Sequence, residues 1–97
     1  MRITLSEDAQ TDGQDAVDWY TGEGAFSTAN DFTDELGHCL HLLRQFPRLG
    51  VPSPYDTRTL PFHTLPYSLI YRVQPETIRV IAIAHHSRRP EYWGGRR

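Results

Sequence analysis

The sequence predicts an α+β fold in which a hairpin of two helices packs on a small, mostly antiparallel sheet, in the order β-α-α-β-β-β. Three observations predict it. Residues 7–46 carry apolar side chains at the three- and four-residue spacing of helices. Residues 57–85 carry short apolar runs separated by turn residues, which is the pattern of strands. Each layer then has one apolar face, and packing the two layers together buries both faces.

The first two predicted elements are a short strand and a helix. Residues 2–5 (RITL) predict the strand, and Ser6 follows with a hydroxyl that can cap a helix amino terminus. We predict the first helix from about residue 7 to residue 20. Gly13 in its middle costs about 1 kcal/mol relative to alanine, so this is the weaker of the two helices.

The second helix is predicted from Ala25 to Phe46, where apolar residues recur over about six turns. The series is Phe26, Ala29, Phe32, Leu36, Leu40, Leu43 and Phe46. Pro47 ends the helix, because proline disfavours helical geometry in the residue before it. Residues 48–56 contain Gly50, Pro52 and Pro54, and they predict an ordered crossing loop without ladder hydrogen bonds.

Three strands follow, at residues 57–62, 67–73 and 78–84. In the second, Tyr67, Leu69, Tyr71 and Val73 share one face and Ser68, Ile70 and Arg72 the other, which predicts a half-buried strand. The third is almost continuously apolar, which predicts a position inside the sheet, with both faces covered. The Pro75-Glu76 pair between them predicts a hairpin turn.

The composition is that of one compact domain spanning residues 1–97, because 38% of the residues are hydrophobic and a core can form at this length. No apolar run approaches the roughly 18 residues needed to cross a bilayer. The amino-terminal residues also lack the apolar centre of a signal peptide. We therefore expect a cytoplasmic protein with no membrane association.

The charge is distributed unevenly along the chain. Residues 1–56 hold ten acids and three arginines (10 − 3, net −7), and residues 57–97 hold seven arginines and two acids (7 − 2, net +5). All ten basic residues are arginine, whose planar fork of donors suits carboxylate and phosphate. Two interpretations remain open: the arginines contact a polyanion, or the two halves neutralise each other across the fold.

His38, Cys39 and His41 raise the possibility of a zinc site, since histidines three residues apart share a helix face. The histidines lie in a polar stripe opposite the apolar series, whereas Cys39 is placed to pack against the sheet as a small apolar residue. We therefore predict no metal site and no cofactor.

Five short motifs, taken in order, resemble the RelE/ParE superfamily of bacterial type II toxins, and they are closer to the ParE, or plasmid-stabilisation, branch. They are Ser6-Glu7-x-Ala9, Trp19-Tyr20, Phe46-Pro47-x-Leu49-Gly50, the run PYSLIYRV at residues 66–73, and Ala84-His85-x-x-Arg88-Arg89-Pro90-x-Tyr92-Trp93. The resemblance implies a RelE/ParE-like fold and a toxin neutralised by a cognate antitoxin. It also implies a hetero-oligomer in which the antitoxin docks as a helix and a strand on the helical hairpin and the sheet.

The superfamily implies two possible targets, DNA gyrase and ribosome-bound mRNA, and a third possibility is an inert relative that only binds antitoxin. An endoribonuclease needs an acid, a base and cations near the phosphate. His85 or His86 are candidates for the acid or base, and Arg88 and Arg89 for the phosphate contacts, with Arg58 from an earlier strand. Tyr92 is a candidate for stacking on a base.

We favour gyrase as the target, and we therefore predict a protein-binding toxin rather than an enzyme. RelE-like nucleases commonly place an arginine where Ser68 stands and lysines on the preceding strand, whereas this chain has no lysine. The target-binding candidates are then Arg58, Arg88, Arg89, Tyr92 and Trp93. For the two aromatic residues the alternative is a structural role, packing the tail onto the sheet. Residues 94–97 begin with two glycines and are expected to fray.

Overall fold

The computed structural model describes residues 1–97 as two helices packed on one face of a five-stranded sheet. In chain order the elements are β1 Arg2–Leu5, α1 Glu7–Gly22, α2 Phe26–Gln45, β2 Val51–Ser53, β3 Thr57–Pro61, β4 Tyr67–Val73 and β5 Thr77–His85. The strand order is β1-β5-β4-β3-β2, and only the β1–β5 pair is parallel. The predicted fold class is confirmed, with β5 inside the sheet. Neither helix is long and apolar enough to cross a membrane.

The segment at residues 48–56 differs from its prediction as a loop, because it contains the edge strand β2. Pro52 argued against a strand, yet an edge strand tolerates a missing donor on its outer side. The turn into β3 is formed by Tyr55 and Asp56, both with positive φ (64° and 57°). Two consecutive left-handed residues make the tight turn that suits a twisted hairpin, normally signalled by Asn-Gly. Tyr-Asp carries no such signal, so the hairpin was missed.

The sheet separates two apolar clusters. The larger lies under the helices and includes Phe32, Leu43, Leu69, Tyr71 and Val80. The smaller lies on the opposite face and consists of Ile70, Ile81, Ala82, Ala84 and Trp93. The prediction that β4 is half buried was therefore wrong: residues 67–71 are all buried, because the carboxyl-terminal tail covers their second face.

The helices begin and pack largely as predicted. The Ser6 hydroxyl accepts a hydrogen bond from the Ala9 N–H at 3.1 Å and caps α1. In α2 the middle of the apolar series is buried or half-buried, whereas Phe26 and Phe46 at its ends are exposed. Cys39 packs in the core as expected, and burial raises the pKa of its thiol to about 11.

A β-bulge in β5 decides which face its last residues occupy. Ile70 pairs with Ala82 and Tyr71 with Val80, so Ile81 is an extra residue in the ladder. After the bulge, Ile83 faces the helices and Ala84 faces the tail. The same alternation carries His85 toward the helical side, beside Tyr67, where their rings meet edge to face at 4.9 Å.

The residues after β5 fold back across the open face of the sheet. Trp93 is 6% exposed there, and the Tyr55 ring packs edge to face against it. The expectation that residues 94–97 fray was wrong at Arg96. Its guanidinium lies 2.6 Å from the Asp12 carboxylate, and its carbonyl accepts a hydrogen bond from Arg72 at 2.8 Å.

Candidate functional site

A cleft of about 520 Å³ lies between the second half of α1, the end of β5 and the start of the tail. It brings together three of the predicted site residues, His85, Arg88 and Tyr92. The helix contributes two acids and two aromatic residues to the opposite wall: Asp12, Asp15, Trp19 and Tyr20.

His85 is held in one tautomer at the floor of this cleft. The Ser87 N–H donates a hydrogen bond to His85 Nδ1 at 3.0 Å, so Nδ1 carries the lone pair and Nε2 the proton in the neutral ring. The Ser87 hydroxyl lies 2.7 Å from the same Nδ1. The neutral ring therefore presents a donor to the cleft.

His86 lies on the opposite face of the sheet, as expected for adjacent residues at the end of a strand. Its Nε2 lies 2.8 Å from the Oγ of Ser68, which is buried on β4. Ser68 is the residue that occupies the arginine position of RelE-like nucleases in the resemblance. The two candidate histidines therefore cannot serve one acid–base site.

Tyr92 is already in contact with two cations of the tail. The Arg88 Cζ lies 4.0 Å from the centre of its ring and the Arg96 Cζ 5.2 Å. Such cation–π contacts contribute about 0.5–1 kcal/mol each when partly exposed. Burial, and then the charge of Asp12, raises the pKa of Tyr92, which the two arginines partly oppose. The residue is therefore a neutral phenol whose ring face is occupied by Arg88.

Tyr67, which also lines this cleft, is no better as a base. Burial, followed by a hydrogen bond with Tyr20, raises the pKa of Tyr67 to about 12. The charges of this cleft are balanced: Asp15 and Arg88 both line it, and Asp12 is neutralised by its ion pair with Arg96. The cleft therefore has no excess of cations with which to hold a phosphate group.

The remaining predicted residues lie apart from the cleft. Arg58 on β3 donates hydrogen bonds to the carbonyl oxygens of Arg48 at 3.2 Å and Gly50 at 2.8 Å, so it supports the loop after α2. Trp93 is buried between the tail and the sheet. Arg89 is exposed, and its side chain makes no hydrogen bond or ion pair within the chain.

Two residues with no role assigned from the sequence stand out on the helical hairpin. Trp19 near the end of α1 and Phe26 at the start of α2 are each 62% exposed. Large aromatic side chains in such positions are typical of surfaces that bind a partner. The sequence feature that could have identified these two residues is their position at the helix ends, outside the buried part of each apolar stripe.

Comparisons with known proteins agree with the fold. The family model described as the ParE toxin of type II toxin-antitoxin systems, parDE, matches residues 3–90. Among solved structures, the chain is similar to one from the chromosomal ParDE toxin-antitoxin system of P. aeruginosa. The TM-score is 0.77 at 23% sequence identity, and the match covers 88% of this chain and 95% of that chain. At this identity the structural likeness shows the fold alone. A comparison with curated proteins gave no match.

Proposed function

The chain belongs to the ParE toxin family of type II toxin-antitoxin systems, and from this premise we propose that it inhibits DNA gyrase by binding it in the cytoplasm. A cognate antitoxin neutralises it by forming a hetero-oligomer. No bond chemistry is required for this activity: the protein needs a surface that binds one state of gyrase more tightly than the others.

The observation that supports binding over RNA cleavage is the separation of the nuclease candidates. His86 and His85 face opposite sides of the sheet, and Arg58 donates to backbone carbonyls. Only His85, Arg88 and Tyr92 share a cleft, and two carboxylates line it with them. A transition state with extra phosphate charge needs converging cations rather than carboxylates.

The proposed gyrase contact is the exposed part of the tail, with Arg88 and Arg89 as its cations. The Arg88 guanidinium lies over the Tyr92 ring, and this contact limits the rotamers of its side chain. Arg89 is the freer of the two. Preorganised arginines are frequent among the residues that contribute most to binding at protein interfaces. Trp93 supports this surface from below.

The proposed antitoxin contact is the apolar end of the helical hairpin, at Trp19 and Phe26. An amphipathic antitoxin helix can bury both aromatic rings against its apolar face. The exposed carboxylate of Asp15, which lines the same cleft as Trp19, then favours a basic residue at the edge of that helix.

Expression of the chain without antitoxin tests the target. Filamentation and a DNA-damage response are expected, together with loss of supercoiling by purified gyrase in the presence of the purified chain. Rapid arrest of translation with cut transcripts would instead identify the ribosome-dependent nuclease. Unaffected growth would identify an inert relative.

A double substitution tests the tail surface. Arg88→Gln with Arg89→Gln should abolish toxicity while circular dichroism and the melting temperature remain close to those of the original chain. Arg44→Gln with Arg48→Gln is the matched control, because both residues are exposed and the charge change is the same. Toxicity retained in the folded tail variant would rule out this surface.

A second set of variants tests the antitoxin contact. Trp19→Ser with Phe26→Ser should keep toxicity and lose rescue by the antitoxin encoded beside the gene. Phe46→Ser, at a similarly exposed aromatic residue at the other end of α2, should keep rescue. If only Phe46→Ser loses rescue, the antitoxin binds elsewhere on the hairpin.

A further inference from the structure

The sheet face opposite the helices carries a polar cleft of about 510 Å³ at the ends of β4 and β5 farthest from His85. Four arginines line it, and we call them the arginine patch: Arg2 on β1, Arg72 on β4, Arg79 on β5 and Arg97 in the tail. The other lining residues are Thr4, Gln74 and Thr77. No apolar, aromatic or acidic side chain lines this cleft.

The strand register places these side chains side by side. Arg79 pairs with Arg72 on one neighbouring strand and with Thr4 on the other, and paired residues of adjacent strands lie roughly 5 Å apart. Two cations directly opposite each other destabilise a sheet. The repulsion between the two guanidinium groups is smaller when an anion binds between them.

No carboxylate of the chain neutralises the patch. Both ion pairs in the structure belong to Arg96, so none of the four arginines has a carboxylate within 4.0 Å. Glu76, in the adjacent turn between β4 and β5, pairs with none of them. Between the acidic and basic halves of the sequence, only Arg96 forms ion pairs, with Asp8 and Asp12.

The patch also has unused hydrogen-bond donors, and two of its four arginine side chains are held in place by hydrogen bonds within the chain. Arg72 is held by the carbonyl oxygens of Tyr55 and Arg96. Arg79 uses one donor, to the Thr4 hydroxyl at 3.2 Å. The side chains of Arg2 and Arg97 make no hydrogen bond within the chain, and each guanidinium offers five N–H donors.

We propose that the arginine patch binds the phosphate backbone of duplex DNA without reading its sequence. Arginine, threonine and glutamine side chains are typical phosphate contacts in protein–DNA interfaces. Without an aromatic side chain the patch cannot stack the bases of a single strand. Without an apolar centre it lacks the usual core of a protein interface. DNA binding by this patch does not depend on gyrase being the target of the protein. With gyrase as the target, the patch would add a contact to the DNA that the enzyme holds.

The test is fluorescence anisotropy of a short labelled duplex with the purified full chain, over a salt series from about 50 to about 200 mM. The logarithm of the affinity should fall linearly with the logarithm of the salt concentration, by about 0.9 per phosphate contact. Arg2→Gln with Arg97→Gln should weaken binding and reduce the magnitude of this slope by about 2. Both residues are exposed, so the fold is expected to persist.

Arg44→Gln with Arg48→Gln is the control, because it changes the net charge equally away from the patch. It should leave the slope unchanged, and Arg79→Gln at the centre of the patch should reduce the slope by about 1. Three results would overturn the proposal: no salt-dependent binding by the original chain, equal losses in the control and patch variants, or tighter binding of polyglutamate than of the duplex at the same salt concentration.

Discussion

The Asp12 carboxylate and the Arg96 guanidinium meet at 2.6 Å across a separation of 84 residues in the chain. They lie beside the part of β5 that β1 does not reach, since β1 pairs only as far as Val80. Asp12 accepts a hydrogen bond from the Ile83 N–H at 3.0 Å, and Arg96 donates to the Ile81 carbonyl at 3.1 Å. The pair therefore satisfies backbone groups that an open strand edge would leave unpaired.

Arg96→Gln is expected to lower the free energy of unfolding by about 1.5–3 kcal/mol, because charged hydrogen bonds are lost and Asp12 is left half-buried without its partner. Urea unfolding monitored by circular dichroism measures the change. Arg97→Gln, next in the chain and without an intrachain bond, is expected to stay within about 0.5 kcal/mol of the original. Equal effects of the two substitutions would mean that the pair does not support the edge.

The sequence predicted the features that depend on residues close together in the chain and missed those that depend on residues far apart. The helices, β4 and β5 were predicted because their periodicity is local, and the opposite faces of His85 and His86 follow from alternation alone. Which histidine faces the helices depends on the bulge at Ile81, which has no local signature. The Asp12–Arg96 pair depends on tertiary closure and was invisible to the periodicity of either segment.

One contact in the tail depends on a glycine. A Cβ at Gly94 would lie 2.7 Å from Cε2 of the Tyr55 ring, whereas one at Gly95 would meet nothing within 4 Å. Moving the Tyr55 ring aside would break its edge-to-face contact with Trp93, and the same Cβ would also lie 3.2 Å from the carbonyl oxygen of Glu91. Gly94→Ala is therefore expected to destabilise the protein by about 1–3 kcal/mol.

The matched control for that variant is Gly95→Ala, which should be neutral or slightly stabilising because it restricts only the unfolded chain. Trp93 fluorescence should shift toward that of a solvated indole in Gly94→Ala and remain unchanged in Gly95→Ala. An unshifted spectrum and unchanged stability in Gly94→Ala would show that the Tyr55 ring can move aside without cost.

Tyr71 joins β4 to the segment after α2 through a buried hydroxyl. It donates to the Pro47 carbonyl at 2.9 Å and accepts from the Gly50 N–H at 2.9 Å. A side chain at Gly50 would collide with this ring, since its Cβ would lie 2.9 Å from the Tyr71 hydroxyl. The contact gives a structural reason for the spacing of Phe46-Pro47-x-Leu49-Gly50 and its pairing with the tyrosine of β4.

Tyr71→Phe is expected to lower the free energy of unfolding by about 1–3 kcal/mol, because two backbone groups lose their partner and Gly50 is buried. Thermal unfolding measures the change, at roughly 4–8 °C per kcal/mol for a domain of this size. Tyr55→Phe is the control, since the Tyr55 hydroxyl makes no hydrogen bond within the chain. A Tyr71→Phe variant as stable as this control would show that water replaces the lost hydroxyl.

Glu35 on α2 makes the stability of the β3–β4 turn depend on pH. Its Oε1 accepts hydrogen bonds from the Thr64 N–H at 2.8 Å and from the Thr64 hydroxyl. Burial alone would raise the pKa of Glu35, but these hydrogen bonds lower it below the ordinary value of 4.5. A carboxyl group whose pKa is lower in the folded state than in the unfolded state stabilises the fold at pH values above its unfolded-state pKa. This contribution is lost as the pH falls through the folded-state pKa.

Glu35→Gln should therefore be less stable than the original chain at neutral pH, by about 1 kcal/mol once solvent screening is allowed for. The difference should shrink as the pH falls below 4.5, because the original side chain then also becomes neutral. Urea unfolding at neutral pH and in acid measures both differences. Asp34→Asn is the control at an exposed neighbour. A difference that stays constant with pH would mean that the charge of Glu35 does not stabilise the turn.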